Sequence, residues 1–330
     1  MPASLTQLLD IEYPVIAAPM FLISNTKMTI AALDSGISGA FPALNYRTDA
    51  DLRAAIETIK SASKKSFGVN LIVNKSNLKY KKQLDTLVDV RVPYIITSLG
   101  NPLEVIERCK PLGIKVFCDV VDLKYAKKVE ALGADALIAV NNRAGGHCGP
   151  TSPKELITIL KENCGLPIIS AGGIARGHDL AQVIEWGAAG ASIGTIFIAC
   201  EEADISLEYK QAMVDYGEKD IVLTTKLSGS HLTVINTPYV QKLGTKAGWF
   251  EGMLLRNKQL KKYAKMFIAF RGMKAVEDAA LKATYKTVWC AGPAIEYVTA
   301  IRPMKDIVGT LIGEWKTAKT KSLSTPNLTV

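Results

Sequence analysis

Short runs of β-branched and small apolar residues alternate with longer stretches that carry apolar residues at helical spacing, through the first two thirds of the chain. The runs are Pro14 to Met20, Gly36 to Phe41, Ser66 to Val73, Tyr94 to Leu99, Lys115 to Val120, Ala136 to Val140, Leu166 to Gly172 and Gly190 to Ile198. Between them the pattern predicts helices over Asp49 to Lys60, Asn101 to Lys110, Leu123 to Leu132, Ser152 to Asn163 and His178 to Trp186. Gly113 and Gly133 stand where a helix needs a left-handed residue to turn into the next strand. Eight strands in unbroken alternation predict an α/β protein, a (β/α)8 TIM barrel over residues 1–200. A doubly wound sheet shares the alternation but not the uninterrupted count of eight.

After Cys200 the rhythm stops. A helical run (Ser206 to Tyr216), a strand-like piece (Ile221 to Leu227), turns at Ser228 to Ser230 and Asn236 to Pro238, and a Lys-rich helical segment (Asn257 to Val276) suggest a smaller inserted lobe over 201–287. It is read as a lid over the barrel mouth. Residues 288–316 read as one helix returning to the barrel, with Ala294 to Ile301 amphipathic, and 317–330 as a polar, frayed tail.

Composition removes several classes. With 48% hydrophobic and 22% charged residues among 330, the chain has the makeup of a soluble globular protein rather than a disordered or fibrous one. No apolar run reaches the length of a membrane span and no leader pattern opens the chain, so a cytoplasmic protein without membrane partners is expected. The net charge of +9 raises the question of nucleic acid. The lysines, however, lie in separate groups at helical spacing without interleaved aromatics, the pattern of solvated helix faces, and no nucleic-acid partner is expected. Six scattered cysteines without a CxxC pair fit reduced thiols and no metal site.

The chemistry concentrates at strand ends. Gly172 and Gly173 follow the seventh run, and Gly194 and Thr195 fall in the eighth, where barrels of this class cradle a phosphate with main-chain N–H groups. His147, in Asn142 to Pro150 (NRAGGHCGP), follows the sixth run among Gly145, Gly146 and Gly149, and its imidazole suits movement of a carbon-bound proton near neutrality. Of the other histidines, His178 reads as a polar cap or a wall of the phosphate site, and His231 as a substrate contact or a solvated loop residue. Cys148 beside His147 lacks a third orienting group and is not read as a nucleophile. Met20 and Asn70 end the first and third runs, where they would serve an uncharged flavin edge or simply pack the barrel top. No dinucleotide or Walker fingerprint is present.

The segments PVIAAPM, FGVN, AGGHCGP, SAGGI and GASIGTIF, in that order, resemble the nitronate monooxygenases, a family of FMN-dependent barrels that includes flavin-dependent enoyl-acyl-carrier-protein reductases. The likeness extends to EEADISLEYKQAMVDYG and WCAGPAIEYVTAIRPMKDIV and so covers nearly the whole chain. It implies FMN as cofactor, contacted by Ala18, Met20, Asn70, Gly145, Gly146, Gly172, Gly173, Ser192, Gly194 and Thr195, with His147 as catalytic base.

Several positions depart from the family pattern: Asn141 replaces a glycine, Arg143 an acidic residue, Pro293 a glutamine, and Ser228 to Ser230 lacks the arginine of SGR. These changes read as lying on the substrate side, with Arg143 and His231 as candidate substrate residues. The Arg143 charge would favour an anionic substrate, or else forms a surface salt bridge. The implied reaction is oxidation of alkyl nitronates or nitroalkanes with O2 to a carbonyl compound and nitrite. The alternative is NAD(P)H-dependent reduction of an enoyl thioester or a quinone, and a barrel that binds flavin without turnover stands beside both. A homodimer is compatible with either enzyme.

Overall fold

A computed structural model describes residues 2–74, 77–225, 231–245 and 288–324. Eight parallel strands close into a barrel: β1 (Val15–Ala17), β2 (Ser38–Pro42), β3 (Gly68–Ile72), β4 (Tyr94–Ser98), β5 (Lys115–Val120), β6 (Ala136–Val140), β8 (Ile168–Ala171) and β9 (Gly190–Ile193). β9 pairs back onto β1 with Ile16 opposite Ser192, which closes the ring. A further two-residue strand, β7 (Gly146–His147), stands outside the barrel.

Helices α2 (Thr26–Asp34), α3 (Asp49–Ala62), α4 (Tyr80–Asp89), α5 (Leu103–Cys109), α6 (Leu123–Ala131), α7 (Pro153–Asn163) and α8 (Gly177–Trp186) connect the strands. Their starts are written in the sequence. Thr48, Asp122 and Ser152 each accept an N–H from the first turn of the helix they cap. Gly113 and Gly133 adopt the left-handed conformation expected of them, with φ of 71° and 94°.

Side chains of one strand parity fill the barrel: Ile16, Ala40, Tyr94, Ile96, Phe117, Ala136, Ile138 and Ile169 form one buried cluster with Leu5 and Leu9 of α1 (Leu5–Leu9). The Tyr94 and Phe117 rings stack at 4.9 Å, and the Tyr94 hydroxyl meets the Ser38 hydroxyl at 2.7 Å. Gly68 leaves room for this ring, since a Cβ there would lie 2.2 Å from it. Opposite parity packs the helices. Continued one step toward the C-terminal ends, the inward parity brings Ala18, Asn70, Ser98, Asp119, Val140 and Ala171 to the floor of the mouth.

Beyond the barrel come α9 (Leu207–Asp215), β10 (Ile221–Thr224), β11 (Leu232–Ile235) and α10 (Pro238–Leu243). β10 and β11 form an antiparallel pair, and β11 extends it onto β7. The Lys-rich segment 257–276 and the turn 228–230 lie outside the described residues.

Three expectations are corrected. The eighth strand ends at Ile193, and Thr195–Phe197 form a 3-10 turn, so Gly194 and Thr195 follow the strand rather than belong to it. No single helix fills 288–316. Pro293–Tyr297 form a 3-10 turn and the helix α11 begins at Met304, because Pro303 has no N–H and biases Arg302 away from helical geometry. That helix runs to Ser324, through the first part of the segment expected to fray. Its apolar side, Ile307, Val308, Leu311 and Ile312, is buried in the main core, which anchors the polar turns that follow.

Candidate active site

The loop after β6 is built by Asn141, which is almost wholly buried. Its Oδ1 accepts the Arg143 N–H at 2.8 Å and its Nδ2 donates to the Gly172 carbonyl at 3.0 Å. One side chain thus fixes the loop that carries His147 against the loop after β8. Gly172 and Gly173 are consecutive and both have positive φ, 114° and 78°. The N–H groups of Gly172, Gly173 and Ile174 in this turn have no backbone acceptor among the described residues, and the turn is thus a nest of main-chain donors suited to an anion. A Cβ on Gly172 would lie 2.5 Å from the Ala144 nitrogen, and one on Gly173 2.9 Å from the Arg143 Cβ.

Across the β8–β9 edge, Gly194 opens the 3-10 turn. The N–H groups of Thr195 and Ile196 start that turn and have no backbone acceptor among the described residues. A Cβ on Gly194 would lie 3.2 Å from the Met20 sulfur, so the ends of β1 and β9 meet there. The Ser24 hydroxyl accepts the Met20 N–H and donates to the Ala18 carbonyl, holding the turn after β1. Ser192 is buried just below. Main-chain donors with no partner, glycines that admit close approach and a nest at the last two strands fit the phosphate of a nucleotide-like cofactor.

His147 stands on β7, held opposite Leu232 of β11. The Thr233 hydroxyl donates to the Ala144 carbonyl at 2.7 Å and fixes the same loop from the other side. The imidazole is solvent-accessible and has no hydrogen-bond partner among the described residues. Surrounding protein nevertheless lowers its pKa from the ordinary 6.5 by desolvation. Access together with desolvation is the environment of a side chain lining a cleft. His231 is brought one register step beyond the Leu232–His147 pair, on the side of Cys148. His178 lies in the first turn of α8.

Gly145 is enclosed on one side by protein: a Cβ there would lie 2.8 Å from the Gly292 nitrogen and 3.1 Å from the Thr195 hydroxyl. That hydroxyl accepts the Gly292 N–H at 3.1 Å and joins the returning segment to the barrel. Arg143, expected on the substrate side, lies along Gly173 and donates to Glu218 at 2.9 Å. Two of the departures from the family pattern, Asn141 and Arg143, therefore touch the anion nest.

The sequence pointed to Ala18 and Asn70 on the floor of the mouth but not to Ser98 and Asp119 beside them. Asn70 donates through Nδ2 to the Ile96 carbonyl at 3.1 Å and to the Ser98 hydroxyl at 2.7 Å. Ser98 in turn donates to the Asp119 carboxylate. Burial drives the Asp119 pKa up to about 6, and the Ser98 bond only partly opposes it. The parity of Phe117 marked Asp119 as inward, since the two are two residues apart on one strand.

The sequence profile of nitronate monooxygenase matches residues 3–314. The chain belongs to the nitronate monooxygenase family. Members of this family and its relatives are flavin-dependent oxidoreductases, and the protein is an enzyme of that class. It is 30% identical over 267 residues to a hydroxy-methyl-oxo-octahydro-indene-carboxyl-CoA dehydrogenase of Mycobacterium tuberculosis, covering 79% of this chain and 74% of the relative. It is 27% identical over 288 residues to a probable nitronate monooxygenase of Staphylococcus aureus, covering 74% and 81%. Among solved structures it resembles FabK from Thermotoga maritima, with a TM-score of 0.84 at 26% identity over 98% of this chain and 99% of the other. No helix among the described residues is long and apolar enough to cross a membrane.

Proposed function

We propose that this family member is an FMN-dependent nitronate monooxygenase with His147 as its base. The observation that carries the reading is the accessible, unpartnered and desolvated imidazole on β7, beside an anion nest at β8 and β9. FMN is the flavin whose phosphate suits that nest, and Gly172, Gly173, Gly194 and Thr195 would hold it through main-chain groups. Ala18, Met20, Asn70, Gly145, Gly146 and Ser192 would contact the rest of the flavin. Bound FMN supplies the electron acceptor and the reaction with O2 that convert a nitronate to a carbonyl compound and nitrite.

The protein's own part is to position and to move a proton. An imidazole with no acceptor holding its N–H and a lowered pKa is neutral at pH 7, with a nitrogen lone pair free to take the α-proton of a nitroalkane. Arg143, within reach of the nest, and His231, next to β7, would orient the anion that results.

A second reading is favoured by the relative that acts on a CoA thioester. The same base can remove or return a proton α to a thioester carbonyl, with NAD(P)H as electron donor in the reductive direction. Anaerobic mixing with ethylnitronate and, separately, with NADH distinguishes the two. Loss of flavin absorbance with the nitronate alone supports the first reading, and rapid loss with NADH replaces it by the second. In the first case His147→Asn should depress turnover of neutral nitroalkane far more than of preformed nitronate. Equal losses would remove the base from the mechanism.

A further inference from the structure

The nest lies at β8 and β9. In the closed order β1-β2-β3-β4-β5-β6-β8-β9, the strands four places away are β3 and β4. Asn70 stands on β3, Ser98 on β4 and Asp119 on the adjoining β5, all of inward parity. A cofactor anchored by its phosphate at the nest and reaching across the mouth therefore ends at these three residues.

Their polarity is determined by their partners. The Asn70 Nδ2 faces a backbone carbonyl, which can only accept, so the amide orientation is fixed and Oδ1 remains as an acceptor without a partner among the described residues. Ser98 accepts from Asn70, and so must give its own proton to Asp119. That leaves one Asp119 oxygen without a partner among the described residues. The floor thus presents an acceptor and, one hydroxyl away, a carboxyl oxygen.

An isoalloxazine ends in an imide edge, an N–H flanked by two carbonyls. We propose that this floor grips that edge, Asn70 accepting from the ring N–H and Asp119, in its neutral form, donating a hydrogen bond to the adjoining ring carbonyl. The inference rests on the reading that a flavin occupies the mouth. An ionised carboxylate could not make this contact, because it would set two acceptors against each other.

Burial already favours the neutral carboxyl, whose pKa stands at about 6, and no cation among the described residues opposes it. The titratable groups nearest Asp119 are Cys118 on β5 and Tyr125 on α6, both neutral at these pH values because burial raises them. Farther round the mouth, among the described residues, stand His147, Cys148 and His231 and the Arg143–Glu218 ion pair. Above pH 6 flavin binding must then draw one proton from solvent onto Asp119. Asp119 becomes a binding residue that couples cofactor affinity to pH.

The experiment is a series of flavin dissociation constants from fluorescence quenching between pH 6 and 8, for the wild-type protein and for Asp119→Asn, which keeps a neutral donor. In the wild type the constant should rise by about tenfold per pH unit above the carboxyl pKa. In Asp119→Asn it should stay flat once the titration of the FMN phosphate, common to both proteins, is divided out. Riboflavin, which has no phosphate, gives a second readout: at pH 7.5 the wild type should take up about one proton per ligand bound, measured in weak buffer. This measurement needs no variant. A matching pH slope in the two proteins, or no proton uptake by the wild type, overturns the role of Asp119. A protein that binds no flavin at any pH overturns the flavin reading as well.

Discussion

Arg143 bonds to Glu218 at 2.9 Å while the stem of its side chain lies along Gly173. The guanidinium can therefore swing between a carboxylate in the turn before β10 and an anion in the nest. Both groups are substantially exposed, so the pair itself contributes no more than about 1 kcal/mol to stability. Its larger effect should fall on ligand choice. Arg143→Ala should cut the preference for FMN over riboflavin by about threefold to tenfold, and Glu218→Gln should increase it. Dissociation constants of the two flavins for each variant check this, and melting temperatures should barely move.

The nest depends on backbone shape more than on any side chain. Gly173→Ala places a Cβ on a residue with φ of 78°, against the Arg143 Cβ, and costs about 1–3 kcal/mol at that point. Because the strain is relieved by rotating the N–H groups out of line, FMN affinity should fall by at least about tenfold, with riboflavin affected less. Equal losses for both flavins would show that Gly173 shapes the mouth without touching the phosphate.

Inside the barrel, the Gly68–Tyr94 contact can be tested by two substitutions of opposite severity. Gly68→Ala forces a methyl into the Tyr94 ring and should lower stability by about 3 kcal/mol or more, read by urea unfolding. Tyr94→Phe removes only the hydroxyl. Ser38 keeps its bond to the Ser66 carbonyl, so the loss should be about 1 kcal/mol.

The barrel was legible because its signal is periodic and local. Each of the eight runs and each of the five helices overlaps an element, and the strand ends shifted by up to five residues, most at the eighth. The 3-10 turn at Thr195–Phe197 was hidden inside a strand-like string, since IGTIFI is apolar and β-branched whichever way its backbone turns. The pairing of Gly146–His147 with β11 was not readable, because it depends on a partner some 85 residues away and on no pattern of its own. Asp119 was missed for another reason: a carboxylate at a strand end reads as solvated, and only the closing of the barrel turns that position into a floor.

Asp119 should also leave a mark on stability without any ligand. Its folded pKa of about 6 lies above the ordinary value of 3.8, so the folded state holds the proton more tightly than the unfolded chain. The stabilisation is complete below pH 3.8 and is lost as pH rises through 6. Asp119→Asn is exempt. Denaturant unfolding should show the variant gaining on the wild type by about 1 kcal/mol between pH 5 and pH 8. A constant difference across that range would mean that the carboxyl is solvated.

His147 and Asp119 titrate with shifts of opposite direction, the imidazole lowered and the carboxyl raised by burial. His147 has its pKa lowered from 6.5, so it is the neutral base throughout the neutral range and gains a proton only in acid. If it takes the α-proton, kcat/KM for a neutral nitroalkane should fall as pH drops through that lowered pKa, and the same limb should be absent with preformed nitronate. Asp119 works in the reverse sense, since its ionisation on the alkaline side weakens the floor. Asp119→Asn should therefore leave the acid limb where it is and flatten the flavin-binding decline above pH 6. His147→Asn should abolish the acid limb and leave that decline intact. Stopped-flow turnover of both substrates from pH 5 to 8, with flavin saturation followed in parallel, reads the two effects independently. A single substitution that removed both would show that the imidazole and the carboxyl titrate as one coupled pair.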